Sequence, residues 1–100
     1  MAEHDLQNEI RIKLSSLGYT VFRANVGKVK MQDGRWFDTG LPQGFSDLFA
    51  VKSGHIYFIE VKVKPNKPTP EQLNFIERMI QQGCRAGVAY SVDEAVKICS

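Results

Sequence analysis

The sequence predicts an α/β fold in which a mixed central sheet is flanked by helices. Two observations support this prediction: apolar residues recur at helical spacing in several segments, and short runs rich in β-branched and aromatic residues lie between them. Along the chain the elements follow the order helix, strand, polar excursion, two strands, helix, strand and helix. A length of 100 residues with 43% hydrophobic content predicts one domain over residues 1–100.

The first part of the chain predicts a helix, a strand and then an excursion. Apolar residues at helical spacing indicate an amphipathic helix from about Glu3 to Leu17, ended by Gly18. A strand follows over residues 19–23. Residues 25–40 are polar and punctuated by glycine around the turn signal Gln32-Asp33-Gly34, which predicts a hairpin or a mobile loop.

The middle of the chain predicts a tight antiparallel hairpin. Its strands, residues 47–51 and 56–63, are apolar on both faces, as expected at the centre of a sheet. A two-residue turn at Ser53-Gly54 places Asp47 directly opposite Glu60. Lys62 then projects from the same face as Glu60, because side chains two residues apart in a strand share a face.

Capping signals mark the starts of the two later helices. Thr69 is followed three residues later by Gln72, the spacing of a capping box. After a predicted strand over residues 86–90, Ser91 begins a short helix with Glu94 as its box partner.

Composition and charge restrict the function only loosely. The net charge of +2 and pI near 8.6 permit a polyanionic partner without requiring one. Cys84 and Cys99 lack the spacing of a zinc site, so we interpret them as small buried apolar groups. The polar opening residues and the lack of a long apolar run predict a cytoplasmic protein without a signal peptide.

Asp47, Glu60 and Lys62 form the candidate catalytic centre. Side chains directly opposite each other in a hairpin have Cβ atoms about 4.5–5.5 Å apart, so both carboxylates could reach one divalent cation. The Lys62 ammonium would then orient or deprotonate a water, or stabilise charge that develops on a phosphate. The alternative is that Lys62 only forms an ordinary ion pair with Glu60 or Asp47 at the end of the sheet.

The residues just before Asp47 favour the functional interpretation. Gly44 allows a ligand to approach the backbone of Gly44-Phe45-Ser46 closely, which makes Ser46 a candidate DNA contact. Alternatively, Ser46 is only a turn residue.

Polar residues on two helices are further candidates. Glu3 falls near the centre of the apolar face of the first helix with Gln7 at its edge, whereas Glu9 points to solvent. The alternative for Glu3 is a frayed terminus. Gln72 either serves the helix cap alone or also positions a water or a phosphate.

The excursion supplies a candidate DNA-contacting segment. Lys28, Lys30 and Arg35 surround Trp36, a combination of positive charge and aromatic surface that suits nucleic acid. The alternative is a solvated loop in which the Trp36 ring only packs against the rest of the loop.

Read in order, these motifs resemble the PD-(D/E)xK nuclease superfamily, and within it the stand-alone virus-type replication-repair nuclease (VRR-NUC) domain of phage or bacterial type. The resemblance covers nearly the whole chain and implies a restriction-endonuclease-like αβββαβ core. Ser46 stands where the superfamily has a proline, a departure that this subgroup commonly has. The motifs are Glu3 with Gln7, Gly44-Phe45-Ser46-Asp47, Glu60-Val61-Lys62 and Gln72.

The resemblance implies hydrolysis of DNA phosphodiesters by an activated water, with Mg²⁺ or Mn²⁺ as the cofactor. Asp47 and Glu60 correspond to the metal ligands, with the Val61 carbonyl as a third candidate. Lys62 corresponds to the residue that activates or positions the nucleophile. The supporting catalytic positions correspond to Gln72 and Glu3, with Glu9 as the fallback for the helix acid.

The resemblance also implies a partner and an assembly. Small stand-alone members resemble Holliday junction resolvases and act as homodimers on branched DNA, and symmetric cleavage of a four-way junction needs two sites related by a two-fold axis. We therefore expect a homodimer, located in a bacterial host's cytoplasm if a phage encodes it. The alternatives are a nickase or flap endonuclease directed by a partner, and a non-catalytic DNA-binding module with the nuclease fold.

Overall fold

The fold contains three helices and six strands, described for all of residues 1–100 in a computed structural model. No helix is both long and apolar enough to cross a bilayer. The elements are α1 (Glu3–Ser16), β1 (Thr20–Arg23), β2 (Lys28–Lys30), β3 (Trp36–Asp38), β4 (Leu48–Lys52), β5 (His55–Val61), α2 (Pro70–Gln81), β6 (Arg85–Ala89) and α3 (Val92–Cys99).

Four of the strands form the central sheet, in the order β1-β4-β5-β6. β1, β4 and β5 pair antiparallel, and β6 pairs parallel to β5 after the crossover through α2. The sheet is therefore mixed and flanked by helices, which confirms the predicted fold class. β4 and β5 occupy its centre, in agreement with their apolar character on both faces.

The hairpin between β4 and β5 has the predicted register. Its turn residues Ser53 and Gly54 both have positive φ, 53° and 78°, as in a two-residue type I′ turn. The ladder runs from Lys52 paired with His55 to Leu48 paired with Ile59. β4 begins at Leu48, one residue after the predicted start, and β5 ends at Val61, two residues before the predicted end. The pairing between these two strands stops at Leu48 and Ile59.

Alternation along β5 divides the central sheet into two chemically different faces. On one face α1 and α3 cover Ile59 and Val61, within a cluster of ten buried residues. On the other face Phe58 packs against Phe75 of α2 at a ring distance of 5.3 Å. Glu60, which alternates with Ile59 and Val61, is on this second face at the end of the strand.

The predicted caps are present, with one difference. Thr69 Oγ1 accepts from Gln72 N, and Gln72 Oε1 accepts from Thr69 N, so α2 begins with a complete capping box. Ser91 Oγ likewise accepts from Glu94 N at the start of α3. The Glu94 carboxylate, however, accepts from Tyr90 N at 2.7 Å rather than from the backbone of the cap residue. It therefore serves the residue before the cap.

β2 and β3 form a separate two-stranded sheet, so the excursion is a hairpin rather than a loop. All six of its strand residues are exposed to solvent. At its base Thr39 N donates to Gly27 O at 2.9 Å and Gly27 N donates to Leu41 O at 3.2 Å. These bonds join the two arms of the hairpin at the point where it leaves the main body of the protein.

Candidate active site

Asp47 lies at the point where the β4–β5 hairpin stops pairing. One step past the pair Leu48–Ile59, the same register sets Asp47 opposite Glu60. Asp47 Oδ2 accepts from the backbone N–H of Val61 at 2.9 Å, and Asp47 O accepts from Ala24 N at 2.8 Å. The carboxylate thus satisfies a donor at the end of β5, and two neighbouring strands fix its orientation.

The Glu60 carboxyl group is buried without a hydrogen-bond partner. The residue is 1% exposed, and neither carboxylate oxygen accepts a hydrogen bond. Burial raises the pKa of Glu60 to about 9, and the neighbouring Asp47 carboxyl raises it further than any other side chain does. Two carboxyl groups held this close need a proton or a cation between them.

Lys62 approaches Glu60 without forming a tight ion pair. Its Nζ lies 3.8 Å from Glu60 Oε2, which is beyond hydrogen-bond distance, and its side chain is 13% exposed. The backbone N–H of Lys62 donates to Ala89 O at 3.1 Å, so β6 holds this residue in place. The ion pair between Lys62 and Glu60 is therefore present at long distance, and it leaves both Glu60 oxygens without a hydrogen-bond donor.

The start of α1 contributes two further polar residues to this end of the sheet. The negative charge of Glu3 is the weakest of the influences that raise the pKa of Glu60, whereas Glu9 is exposed. Gln7, one turn after Glu3, is 7% exposed, and its Oε1 accepts no hydrogen bond. The sequence placed Gln7 only at the edge of the apolar face; the i, i+4 spacing from Glu3 was the signal for its inclusion.

The residues around Glu60 fit a hard divalent cation. A cation would supply the positive charge that the two buried, unbonded oxygens of Glu60 lack. Mg²⁺ commonly binds through one or two carboxylates while keeping several waters, which matches a pair formed by Asp47 and Glu60. Nowhere in the chain do three or more His, Cys, Asp or Glu side chains form a metal-ligand group, so backbone or water oxygens would complete the coordination.

The backbone of Val61 offers such an oxygen. In a strand, the N–H and the C=O of one residue point toward the same neighbouring strand. Since Val61 N–H points to Asp47, its carbonyl is directed to the same side. Val61 itself is fully buried, and its side chain belongs to the opposite, apolar face.

The segment before Asp47 has a structural role that differs from the one predicted. Gly44 has φ +94°, and a Cβ there would lie 2.5 Å from Glu71 O, so the close approach is to helix α2 rather than to a ligand. Ser46 is fully buried, and its hydroxyl donates to Leu48 O at 2.9 Å. A buried side chain cannot reach DNA, so the prediction of a DNA contact at Ser46 is wrong.

Gln72 forms the helix cap with its carbonyl oxygen and keeps its amide NH₂ group free. The side chain is half-buried and lines a cavity of about 270 Å³ together with Gly44 and Thr69. The larger cavities lie elsewhere and include neither Asp47, Glu60 nor Lys62.

The β2–β3 hairpin exposes the cationic and aromatic side chains that the sequence singled out. Trp36 is 65% exposed, which contradicts the alternative of a loop packed by this ring. Lys28 and Lys30 are exposed on β2. Arg35 is exposed too, but its Nε donates to Asp33 at 2.8 Å, so part of its charge is already paired.

Fold and site together define a class: an α/β domain with two carboxylates and a lysine at the end of a central hairpin, the arrangement of nucleases with a restriction-endonuclease-like core. The VRR-NUC domain family matches residues 1–93, and the chain belongs to this family. It is also similar to a solved structure titled "VRR_NUC domain", with 27% identity, a TM-score of 0.69, and coverage of 97% of this chain and 92% of that one. The comparison with curated proteins found no match.

Proposed function

We propose that this chain is a divalent-metal-dependent endonuclease that hydrolyses phosphodiester bonds in branched DNA. The observation that carries the proposal is Glu60, a buried carboxylate with both oxygens unbonded, beside Asp47 and Lys62. A DNA-binding module without chemistry would have no need to retain this costly arrangement.

The roles of the central residues follow from their positions. Asp47 and Glu60, with the Val61 carbonyl, would hold Mg²⁺ or Mn²⁺. When bound, the cation would polarise the phosphate and lower the pKa of a water. Lys62 Nζ, free of a tight hydrogen bond, donates to the attacking water or to a phosphate oxygen and so stabilises charge as it develops.

Three helix residues support this centre. Glu3 and the adjacent Gln7 present oxygen acceptors that orient waters around the buried carboxylates. Gln72 uses its oxygen for the cap of α2, so its NH₂ group is available to donate to a phosphate oxygen. These residues position the reactants, and the proposal assigns no proton transfer to them.

A homodimer would carry two such sites. Symmetric cleavage of a four-way junction requires a second active site related by a two-fold axis, and one chain has only one. Leu73 and Ile80, two turns apart on α2, are 50% and 52% exposed, an apolar surface that a second copy could cover. Light scattering of the wild type and of Leu73→Asp tests the assembly; a wild-type monomer at assay concentration would refute it.

The activity is tested by incubating the purified protein with linear duplex, flap and four-way junction DNA in Mg²⁺, Mn²⁺ or chelator. We expect metal-dependent cutting that favours branched DNA. Paired nicks across a junction support the resolvase-like dimer, whereas cuts confined to one flap strand support a flap endonuclease. If no substrate is cut with either metal, the proposal of an endonuclease is refuted.

A further inference from the structure

The β2–β3 hairpin is an unsupported projection with aromatic surface. Every residue of both strands is exposed, and Trp36 and Phe37 are 65% and 57% exposed. A two-stranded hairpin of this size is marginally stable alone in water. Large apolar side chains in such a position indicate that something covers them when the protein works.

The two faces of the hairpin differ in chemistry. Val29 pairs with Phe37 on one face, whereas Lys30 pairs with Trp36 on the other. Lys28, two residues before Lys30, is on the Trp36 face. The Lys30 and Trp36 Cβ atoms, as cross-strand neighbours, lie about 4.5–5.5 Å apart. The face of the single exposed indole therefore carries two ammonium groups, Lys28 and Lys30, and one carboxylate, Asp38, which is the cross-strand partner of Lys28.

The hairpin is connected directly to the candidate active site. On its first side, β1 ends at Arg23, and the next residue, Ala24, donates its N–H to Asp47 O at 2.8 Å. On its second side, the chain returns through Gly44, packed on α2, to Asp47. The chain on both sides of the hairpin is thus connected to the segment that carries Asp47.

We infer that the face carrying Trp36 stacks on an unpaired base at the branch point of the DNA, while Lys28 and Lys30 contact the adjacent phosphates. This inference rests on the proposed DNA substrate and adds the feature of that substrate that is recognised. A flat aromatic ring beside cationic groups is the usual platform for unstacked bases. Fully paired DNA keeps its bases stacked in the helix, so stacking on Trp36 would distinguish DNA with an unpaired segment, such as a flap, from fully paired DNA.

Trp36 is the only tryptophan of the chain, so its fluorescence reports on the proposed contact directly. The experiment titrates Lys62→Ala protein with flap, four-way junction and linear duplex DNA in the presence of chelator, where no cutting interferes. We expect the flap DNA, which has unpaired bases, to quench the emission strongly, and the fully paired four-way junction and linear duplex to leave it nearly unchanged.

Variants then separate stacking from other contacts, with binding followed through a label on the DNA. Trp36→Ala should weaken binding to flap DNA by about 5- to 150-fold and leave duplex binding nearly unchanged, while Trp36→Phe should retain most of the affinity. Lys28→Ala should weaken both DNAs and reduce the salt slope by about 1. The matched control is Phe37→Ala, on the opposite face of the same strand, which should change flap binding by less than the Trp36 variant.

Several outcomes would overturn the inference. Unquenched emission at saturating flap DNA excludes stacking, and equal losses in Trp36→Ala and Phe37→Ala exclude a contact specific to one face. A change of emission with protein concentration in the absence of DNA would assign the hairpin to a second copy of the chain. Cutting by the wild type with no role for Trp36 would leave the nuclease proposal intact and refute only this inference.

Discussion

The backbone N–H of Val61 donates to Asp47 Oδ2 at 2.9 Å, at the point where the ladder between β4 and β5 ends. A side chain here takes the place of the next backbone acceptor in the sheet. The exchange fixes one carboxylate oxygen of Asp47 and faces the group toward Glu60 on the neighbouring strand. The hydrogen bond thus restricts the orientation of the Asp47 side chain at the end of the strand pair.

Removing the ammonium group of Lys62 should abolish cutting and leave the fold intact. We expect Lys62→Ala to reduce kcat by at least about 100-fold, the usual effect of losing one group that stabilises charge in the transition state. Initial rates on the best-cut DNA and circular dichroism measure the two effects. Lys64→Ala, a nearby exposed lysine, is the control and should cut normally; activity in Lys62→Ala near that of the wild type would remove the proposed mechanism.

The stability of the metal-free protein should fall as the pH rises. The pKa of Glu60 is about 9 in the folded chain against 4.5 for the free side chain, so between these values the folded state holds a proton that the unfolded state has lost. The contribution of Glu60 to the free energy of unfolding is complete below the pKa of the free side chain, 4.5, and is lost as the pH rises through the pKa of the folded chain, about 9. Urea unfolding in chelator from about pH 5 to about pH 8 should show a steeper fall for the wild type than for Glu60→Gln; identical slopes would contradict the assignment.

Divalent cations should stabilise the protein without any DNA present. A ligand that binds only the folded state raises the unfolding temperature, and two opposed carboxylates bind Mg²⁺ or Mn²⁺ best when both are ionised. Thermal unfolding with increasing Mn²⁺ should shift the wild type upward and leave Glu60→Gln and Asp47→Asn nearly unchanged. Glu9→Gln, at an exposed position on α1, should respond as the wild type does; a response retained in Glu60→Gln would exclude this carboxylate as a ligand.

Gly44 should tolerate no side chain. Its φ of +94° already disfavours alanine, and the new Cβ would also meet Glu71 O at 2.5 Å. Gly83 has nearly the same φ, +91°, with no atom within 4 Å of a Cβ, so Gly83→Ala isolates the backbone cost of roughly 1–2 kcal/mol. We expect Gly44→Ala to lower the free energy of unfolding by at least about 1 kcal/mol more than this control. Equal losses in Gly44→Ala and Gly83→Ala would mean that α2 moves away from the new Cβ without a cost in stability.

The two roles of Gln72 can be separated with one substitution. Glutamate serves a capping box as well as glutamine does, so Gln72→Glu should keep the stability of α2 while it replaces the NH₂ donor with a carboxylate. We expect normal unfolding and reduced cutting. Thr69→Ala should do the reverse, with a loss of about 1 kcal/mol in stability and activity retained below the unfolding transition. Full activity in Gln72→Glu would restrict this residue to the cap.

The site was predictable wherever short-range rules decide the geometry. The two-residue turn at Ser53-Gly54 fixed the register, and the register determined which residues face Glu60. Ser46 could not be assigned in this way, because its burial depends on how the loop packs against the rest of the fold. The burial of Gln7 was missed for a similar reason. Helical spacing predicts which face of α1 carries the side chain, but how closely α1 packs on the sheet determines that the amide is buried.

The isolation of the β2–β3 hairpin has a consequence for how this enzyme class can diversify. None of its strand residues contributes to the buried core, so changes of length, charge or sequence there carry little penalty in folding. Asp47 and Glu60, by contrast, are fixed by neighbours on several strands. This hairpin could therefore be exchanged for another without disturbing the positions of Asp47 and Glu60.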